Sequence, residues 1–265
     1  MNMSKKLDVL LSCMNQNNMD IVFNTEISGD AVVINQCDRD DYEECETLQG
    51  RAKMFSVTQR GLTKSRNMAI EKSQADICIL CDDDEVFVPD YREKILGSYE
   101  KLPEADVIIF KMSNRPPSFD DKIMRLRFPK TMKVSSWQIS FKRKSLIETG
   151  VRFDILMGAG SGNGAEEELK FLCDCEKAGL KIYYVPQVIA SVGQESSTWF
   201  SGFNEKFFYD RGNTTRYILG LPLSVLYAFY YVIKKREKLE IPMLKALKAT
   251  LSGIKENKIY KQSKQ

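Results

Sequence analysis

An apolar run that ends abruptly in carboxylates, Ala75 to Val86 (ADICILCDDDEV), constrains this chain more than any other stretch. Ile77 to Cys81 contains no charged side chain, the pattern of a strand buried on both faces, as a parallel sheet between two helix layers requires. Such a strand delivers Asp82, Asp83 and Asp84, with Glu85 behind them, to the rim of the sheet. Ligands of open α/β sheets bind at the carboxyl ends of the strands, so a hard cation and a phosphate are the expected visitors there. Three adjacent Asp repel one another, and a cation or hydrogen-bond donors must offset that cost. The plainer alternative is an acidic turn capping the next helix.

The 265 residues, 43% hydrophobic, suffice for one large core and a smaller appendage. Seven cysteines, an odd number without paired spacing, and no leader at Met1–Leu11 suit a reducing cytoplasm with no disulfide framework. Cys13, Cys37, Cys78 and Cys81 sit in apolar runs and read as small core residues, and Cys173 and Cys175 face different sides of a helix, which argues against zinc. Histidine is absent, so acid or base chemistry falls to carboxylates, Lys, Tyr or Cys.

Leu7–Ser12 reads as a first buried strand, with the polar loop Asn15–Asn18 at its end, and Val32–Ile34 as a second, ending in Asn35-Gln36-Cys37-Asp38. Both open toward the rim of Ile77–Cys81 if all three run parallel. Asp38 could accept a hydrogen bond from a ribose or base, or simply begin the polar loop Arg39–Glu46. Gly61 turns the chain into a helix through Leu62, Ala69 and Ile70 whose first turn carries Lys64 and Arg66. Cations there oppose the macrodipole, so an anionic ligand explains them better than helix stability, with a solvated basic face as the alternative. A helix over Pro89–Tyr99 and a strand over Ala105–Met112 follow, then an irregular loop, Asn114–Lys133, and a weakly alternating strand, Ser135–Phe141, in which Trp137 could stack on a sugar or fill core. Gly158–Gly164 is a glycine loop feeding Glu166-Glu167-Glu168 and a helical run closed by Gly179, before the strand Leu180–Val185. Three Glu would repel a phosphate at that helix start, so the loop reads as a hinge bringing acids toward a neutral substrate; acids in a first turn are also favoured by the dipole alone.

RGLTKSRNMAI, ICILCDDDEV, and FDILMGAGSGNGAEEELKFL with GLKIYYVP behind it, in that order, resemble the family 2 glycosyltransferases of the GT-A fold, over roughly Leu7 to Gln187. The resemblance implies an α/β fold with a mostly parallel sheet flanked by helices, and an inverting, metal-dependent transferase moving a sugar from a nucleotide donor, usually UDP-linked. By that resemblance Cys13, Met14, Asn15 and Asp38 line the nucleoside pocket, Arg66 reaches the diphosphate, and Asp82-Asp83-Asp84 form the DxD motif. Asp84 is then the first ligand of Mg²⁺ or Mn²⁺, with Asp82, nearer the ribose, as the second. The acidic pair of the family falls on Glu167-Glu168, with Glu168 the first choice as catalytic base and Glu167 the second. Many relatives carry a further His ligand where this chain has Gln194 or Glu195, so Gln194 is the candidate third metal ligand.

Beyond a catalytic domain expected over residues 1–190, residues 191–265 read as an aromatic, helical and basic region. Lys234–Gln265 holds ten Lys/Arg against three Glu, a net of +7 on a chain of net +3. Trp199, Phe200, Phe203, Phe207, Phe208 and Tyr209 could pack helices or face an acceptor sugar. Tyr217–Ile233 is 17 residues long, apolar nearly all round and interrupted by Gly220 and Pro222, so an interfacial or core helix is favoured over a span. The basic helix starting at Pro242 adds to an expected peripheral contact with an anionic membrane, on the inner face of the cell membrane, or a homodimer contact. The expected acceptor is a glycan or polyprenyl-linked hydroxyl in bacterial surface polysaccharide synthesis. Two alternatives remain: a nucleotidyltransferase making a nucleotide-sugar, although Leu11–Asn18 lacks the glycine loop that class uses, and a non-catalytic nucleotide-sugar-binding module. Nucleic acid is not expected, because the positive charge lies away from the sheet rim.

Overall fold

The computed structural model describes residues 5–163, 166–193 and 202–264. They fall into two units, one within Met1–Phe153 and Glu168–Gln194, the other within Asp154–Glu167 and Glu195–Gln265.

The first unit is organised on strands β1 (Leu7–Met14), β2 (Ala31–Gln36) and β5 (Ile77–Asp82), which pair in parallel on either side of β1. Their residues alternate between two cores. Leu7, Val9, Leu11, Val33, Ile77, Ile79 and Cys81 face one, covered by α3 (Tyr91–Lys101) through Tyr91, Ile95 and Tyr99. Leu10, Val32, Ile34, Cys78 and Leu80 face the other, covered by α2 (Leu62–Lys72) through Ala69 and Ile70, and by α5 (Glu167–Lys177) through Phe171, Leu172 and Cys175. Burial on both faces is why these strands carry continuous apolar runs. The short helices α1 (Asp20–Asn24) and α4 (Arg143–Thr149) complete the layers.

The other strands are β3 (Asp41–Glu46), β4 (Arg51–Val57), β6 (Glu85–Phe87), β7 (Val107–Met112), β8 (Met124–Leu126), β9 (Ile139–Lys142) and β10 (Ile182–Val192), and the sheet order is β3-β4-β2-β1-β5-β9-β7-β10-β6, with β8 paired to β10. The doubly covered, mostly parallel architecture matches expectation, with three local differences. Residues 41–46 form an edge strand rather than a polar loop: its exposed acids answer Arg51 across the ladder, at 3.1 Å to Glu44 and 2.6 Å to Glu46, and charges at an edge discourage further pairing. Only Ile139–Lys142 of the stretch 135–141 is strand, because Ser136–Gln138 turns as a short 3₁₀ helix closed by a Ser135/Gln138 capping box. The last core strand runs on through Pro186, and its register against β7 shifts between Tyr184 and Val188, where proline has no N–H to give.

The second unit contains α6 (Glu205–Lys234), α7 (Met243–Glu256) and α8 (Lys258–Gln262). Asn204 caps α6, accepting a hydrogen bond from Phe207 N at 3.0 Å, and the helix breaks at Gly220 (φ 76°, ψ 177°), two residues before Pro222. The helices α6 and α7 cross through glycine: a Cβ on Gly212 would lie 2.1 Å from the Thr250 carbonyl oxygen, and one on Gly253 2.1 Å from that of Tyr209. Phe203, Phe207 and Phe208 pack on one another and on Tyr231, so this part of the aromatic stretch is helix packing. Trp199 and Phe200 lie outside the described residues.

Candidate active site

The carboxyl ends of β1, β2 and β5 form one rim. Ser12 is level with both Ile34 and Asp82, and Cys13 and Met14 are level with Asn35 and Gln36. Asn35 is buried and holds the loop after β1 in place: its Oδ1 accepts from Gln16 N at 2.9 Å, and its amide donates to Gln16 O at 2.9 Å and Ser56 Oγ at 3.0 Å. Asn15 turns the chain there with φ 53°, a conformation Asn tolerates better than most residues. Met14, Asn15 and Asp38 are exposed at this rim, while Cys13 is buried and burial pushes its thiol up to about 12. Of the residues assigned from resemblance to a nucleoside pocket, then, three offer side chains to solvent and Cys13 contributes packing.

Asp82 is held from two sides. The Arg66 guanidinium donates to Oδ1 at 2.9 Å and the Ser136 hydroxyl donates to Oδ2 at 3.0 Å. Arg66 is 1% exposed, and its guanidinium lies 5.5 Å from the centroid of the Phe153 ring. Below it, the Ser65 hydroxyl donates to that of Ser12 at 2.8 Å, tying the first turn of α2 to β1. Ser136 has a place in this site that the strand expected over residues 135–141 did not suggest. The capping-box spacing from Ser135 to Gln138 was the available signal.

Asp83 and Asp84 occupy the exposed turn between β5 and β6. Partial desolvation of its carboxyl, then the charges of Asp82 and Asp84, raise Asp83 above the ordinary carboxylate range. Glu85 is wholly buried beneath the turn, with Oε2 accepting from Asp82 N at 3.4 Å and Oε1 without a hydrogen-bond partner among the described residues. Burial, then the charge of Asp82, push it well above the ordinary range.

The end of β10 closes on the same turn. Gly193 N donates to Asp84 O at 2.6 Å, and a Cβ at Gly193 would stand 3.1 Å from the Asp84 Cβ and 3.3 Å from its Oδ2, so a bare backbone gives that carboxylate room. Asn114 pairs with Val192 through both its amide groups, and the Arg115 guanidinium donates to Gly193 O at 2.9 Å while lying 5.8 Å from the Trp137 ring centroid. Trp137 is partly buried and packs against the core beneath it. Gln194, the candidate third metal ligand, lies outside the described residues.

Among the described residues no three His, Cys, Asp or Glu side chains are gathered as a metal cage. The donor set at the turn is nonetheless hard oxygen, crowded with negative charge and open to solvent. That suits a divalent cation sharing its coordination with phosphate oxygens rather than one caged by protein alone.

Glu167 and Glu168 open α5, Glu167 buried and Glu168 half-buried. The preceding residue, Glu166, has φ 88°, a strained value for a side chain, and pairs with Arg211 of α6 at 2.6 Å. Arg211 is enclosed by Tyr231, with its ring centroid 4.3 Å away, and by the Tyr227 hydroxyl at 2.9 Å. The same unit ties the glycine loop at two further points, Tyr217 donating to Asp154 at 2.6 Å and Asn163 to Gln262 at 2.8 Å. Gly158, Gly160 and Gly162 all have positive φ between them, which explains the alternating glycines.

The family model described as Glycosyl transferase family 2 matches residues 9–159. No curated protein matches the chain in sequence. Among solved structures the fold is similar to that of S. aureus TarS 1–349 in complex with UDP-GlcNAc, at 12% identity and TM-score 0.59, covering 94% of this chain and 71% of that one. It is also similar to the mannosyltransferase PcManGT from Pyrobaculum calidifontis in complex with GDP-Man and Mn²⁺, at 11% identity and TM-score 0.51, covering 97% and 88%. The architecture is the GT-A fold.

Proposed function

The chain belongs to glycosyl transferase family 2, and from that premise we propose that it is an inverting transferase moving a sugar from a nucleotide donor, UDP-linked, to a hydroxyl of a glycan or polyprenyl-linked acceptor in surface polysaccharide synthesis. The observation that carries the reading is the acid turn Asp82–Asp84 at the carboxyl end of β5, level with the β1 and β2 rim and oriented by Arg66 and Ser136.

In this reading Met14, Asn15 and Asp38 meet the nucleoside at the rim, and Asp82, fixed by its two donors, meets the ribose. Asp84, with Asp82 as second ligand and Gln194 as third, would hold Mg²⁺ or Mn²⁺. A cation bound there would supply positive charge against the negative charge that develops on the leaving diphosphate. The buried guanidinium of Arg66 adds a fixed positive charge behind the turn. Glu168 takes the proton of the acceptor hydroxyl as its oxygen bonds to the anomeric carbon. The bond from that carbon to the diphosphate breaks, and its electron pair leaves with the nucleotide. One base on the face opposite the leaving group makes a single displacement, hence inversion.

Transfer or donor hydrolysis measured against UDP-, GDP- and dTDP-sugars, with and without chelator, tests this. Turnover of a UDP-sugar that chelator stops and Asp84→Ala abolishes, with the fold intact by circular dichroism, is expected. Full activity of that variant in excess chelator would overturn the metal assignment, and turnover of none of the donors would overturn the reading.

A further inference from the structure

The second half of α6 is built inside out. Beyond the break at Gly220, its buried stripe is Ser224, Ala228 and Val232, small residues four apart, while Leu223, Leu226, Phe229, Tyr230 and Ile233 are exposed. No charged side chain occurs from Tyr217 to Ile233, so the outward face has none of the groups a solvated helix places there. Leu226 is 67% exposed, and Leu244, in the first turn of α7 within the same unit, is 69% exposed. An apolar helix face of this kind, running through Leu223, Leu226, Tyr230 and Ile233 at three- and four-residue spacing, marks an interaction surface.

Charge selects the occupant. Lys234, Lys235, Arg236 and Lys238 follow the apolar face directly, with exposed Lys248 and Lys245 on α7, the latter paired with Glu205 at 2.7 Å, against the acids Glu237 and Glu240. A second copy of this chain would bring a like cluster to the same interface, which repels, whereas an anionic lipid surface attracts both the cations and the apolar side chains. By length and composition α6 could cross a membrane. The uninterrupted apolar segment beyond Gly220 ends at Ile233, though, and at roughly 1.5 Å per residue it reaches only about 20 Å, short of a hydrocarbon core of roughly 30 Å.

We propose that the outward face of α6 beyond Gly220, with the first turn of α7, docks in the plane of an anionic bilayer, its large side chains among the acyl chains and its lysines and arginine at the headgroup phosphates. The docking is independent of the transfer chemistry. Its test therefore reads lipid binding and not turnover.

The full chain is floated with vesicles of phosphatidylglycerol and phosphatidylcholine and with vesicles of phosphatidylcholine alone. Flotation with the anionic vesicles only is expected, and alkaline carbonate should release the protein. Lys234→Gln, Arg236→Gln and Lys238→Gln combined should weaken partition about a hundredfold, at about fivefold per charge, and Leu226→Asp with Phe229→Asp should abolish it. Wild-type protein that fails to float with anionic vesicles overturns the proposal without recourse to any variant. Retention through alkaline carbonate overturns it in favour of a span. A solution dimer that Leu226→Asp with Phe229→Asp dissociates, with no vesicle binding, overturns it in favour of self-association.

Discussion

Removing the Asp82 carboxylate deprives a buried guanidinium of a partner 2.9 Å away, whereas Asp84 lies exposed on the turn two residues on. Breaking a wholly buried pair costs about 3–5 kcal/mol; because Asp82 keeps some contact with water, Asp82→Ala should cost about 2 kcal/mol. Asp84→Ala should cost less than about 0.5 kcal/mol, as exposed substitutions do. Both should abolish transfer, so urea denaturation beside the activity assay separates a carboxylate that organises the site from one that acts in it. Equal stability loss in the two variants would contradict this division. The triple Asp was legible in the sequence because it interrupts an apolar run. Its division of labour was not, since the partners Arg66 and Ser136 come from elements 16 and 54 positions away. Asp8, half-buried at the start of β1, shows the same blindness. Burial, opposed by the Ser73 hydroxyl and supported by the charge of Asp30, raises its pKa. A carboxyl raised on folding binds its proton more tightly in the native chain, so it weakens stability once the pH climbs above the ordinary carboxylate range and contributes nothing below it. Asp8→Asn should therefore raise the denaturation midpoint at pH 7, with the gain fading by about pH 3.5. A constant gain across that interval would show the effect to be packing.

At the scale of elements, strands with continuous apolar runs and the helix after Gly61 could be read directly, because burial on two faces and a glycine turn each leave a local signature. The edge strand 41–46 left none: its charges serve the ladder opposite, and Arg51 is in a different element. The contact of Glu166 with Arg211 is likewise a relation between elements. It holds a residue in a strained backbone conformation at the entry to α5, two residues before the candidate base Glu168. Arg211→Ala should release that strain, on the order of 1–3 kcal/mol, and let the helix start shift. The expected kinetic signature is a kcat lowered about tenfold or more with donor KM unchanged, since misplacing a reacting group costs rate rather than donor affinity. Arg211→Lys should not rescue it, because an ammonium cannot reproduce a guanidinium stacked on Tyr231 and bonded to Tyr227. A change confined to donor KM would remove the acid loop from the mechanism.

On the scale of the whole chain, an apolar pattern shows which stretches are buried but not which partner buries them. That is why residues 154–167, which continue the catalytic pattern in sequence, pack with the C-terminal helices through Asp154, Asn163 and Glu166. Every described residue assigned to nucleotide or metal, from Cys13 through Asp84, instead belongs to the sheet unit, on or beside β1, β2, β5 and α2, with Ser136 and Gly193 of the same unit bonded to Asp82 and Asp84. The two units should accordingly fail separately. Gly253→Val puts side-chain atoms where even a Cβ would stand 2.1 Å from the Tyr209 carbonyl oxygen, a backbone clash no rotamer relieves, so the α6–α7 crossing must open at a cost of several kcal/mol. Titration calorimetry of the variant with UDP and Mn²⁺ should give an affinity within about twofold of wild type, because the hydrogen bonds described for Asp82, Asn35 and Ser65 at the rim lie within the sheet unit. Hydrogen exchange should show α6 and α7 losing protection while β1, β2 and β5 keep theirs, the behaviour of separate cooperative units. Loss of UDP binding together with loss of strand protection would mean instead that the sheet depends on the helices for its own stability.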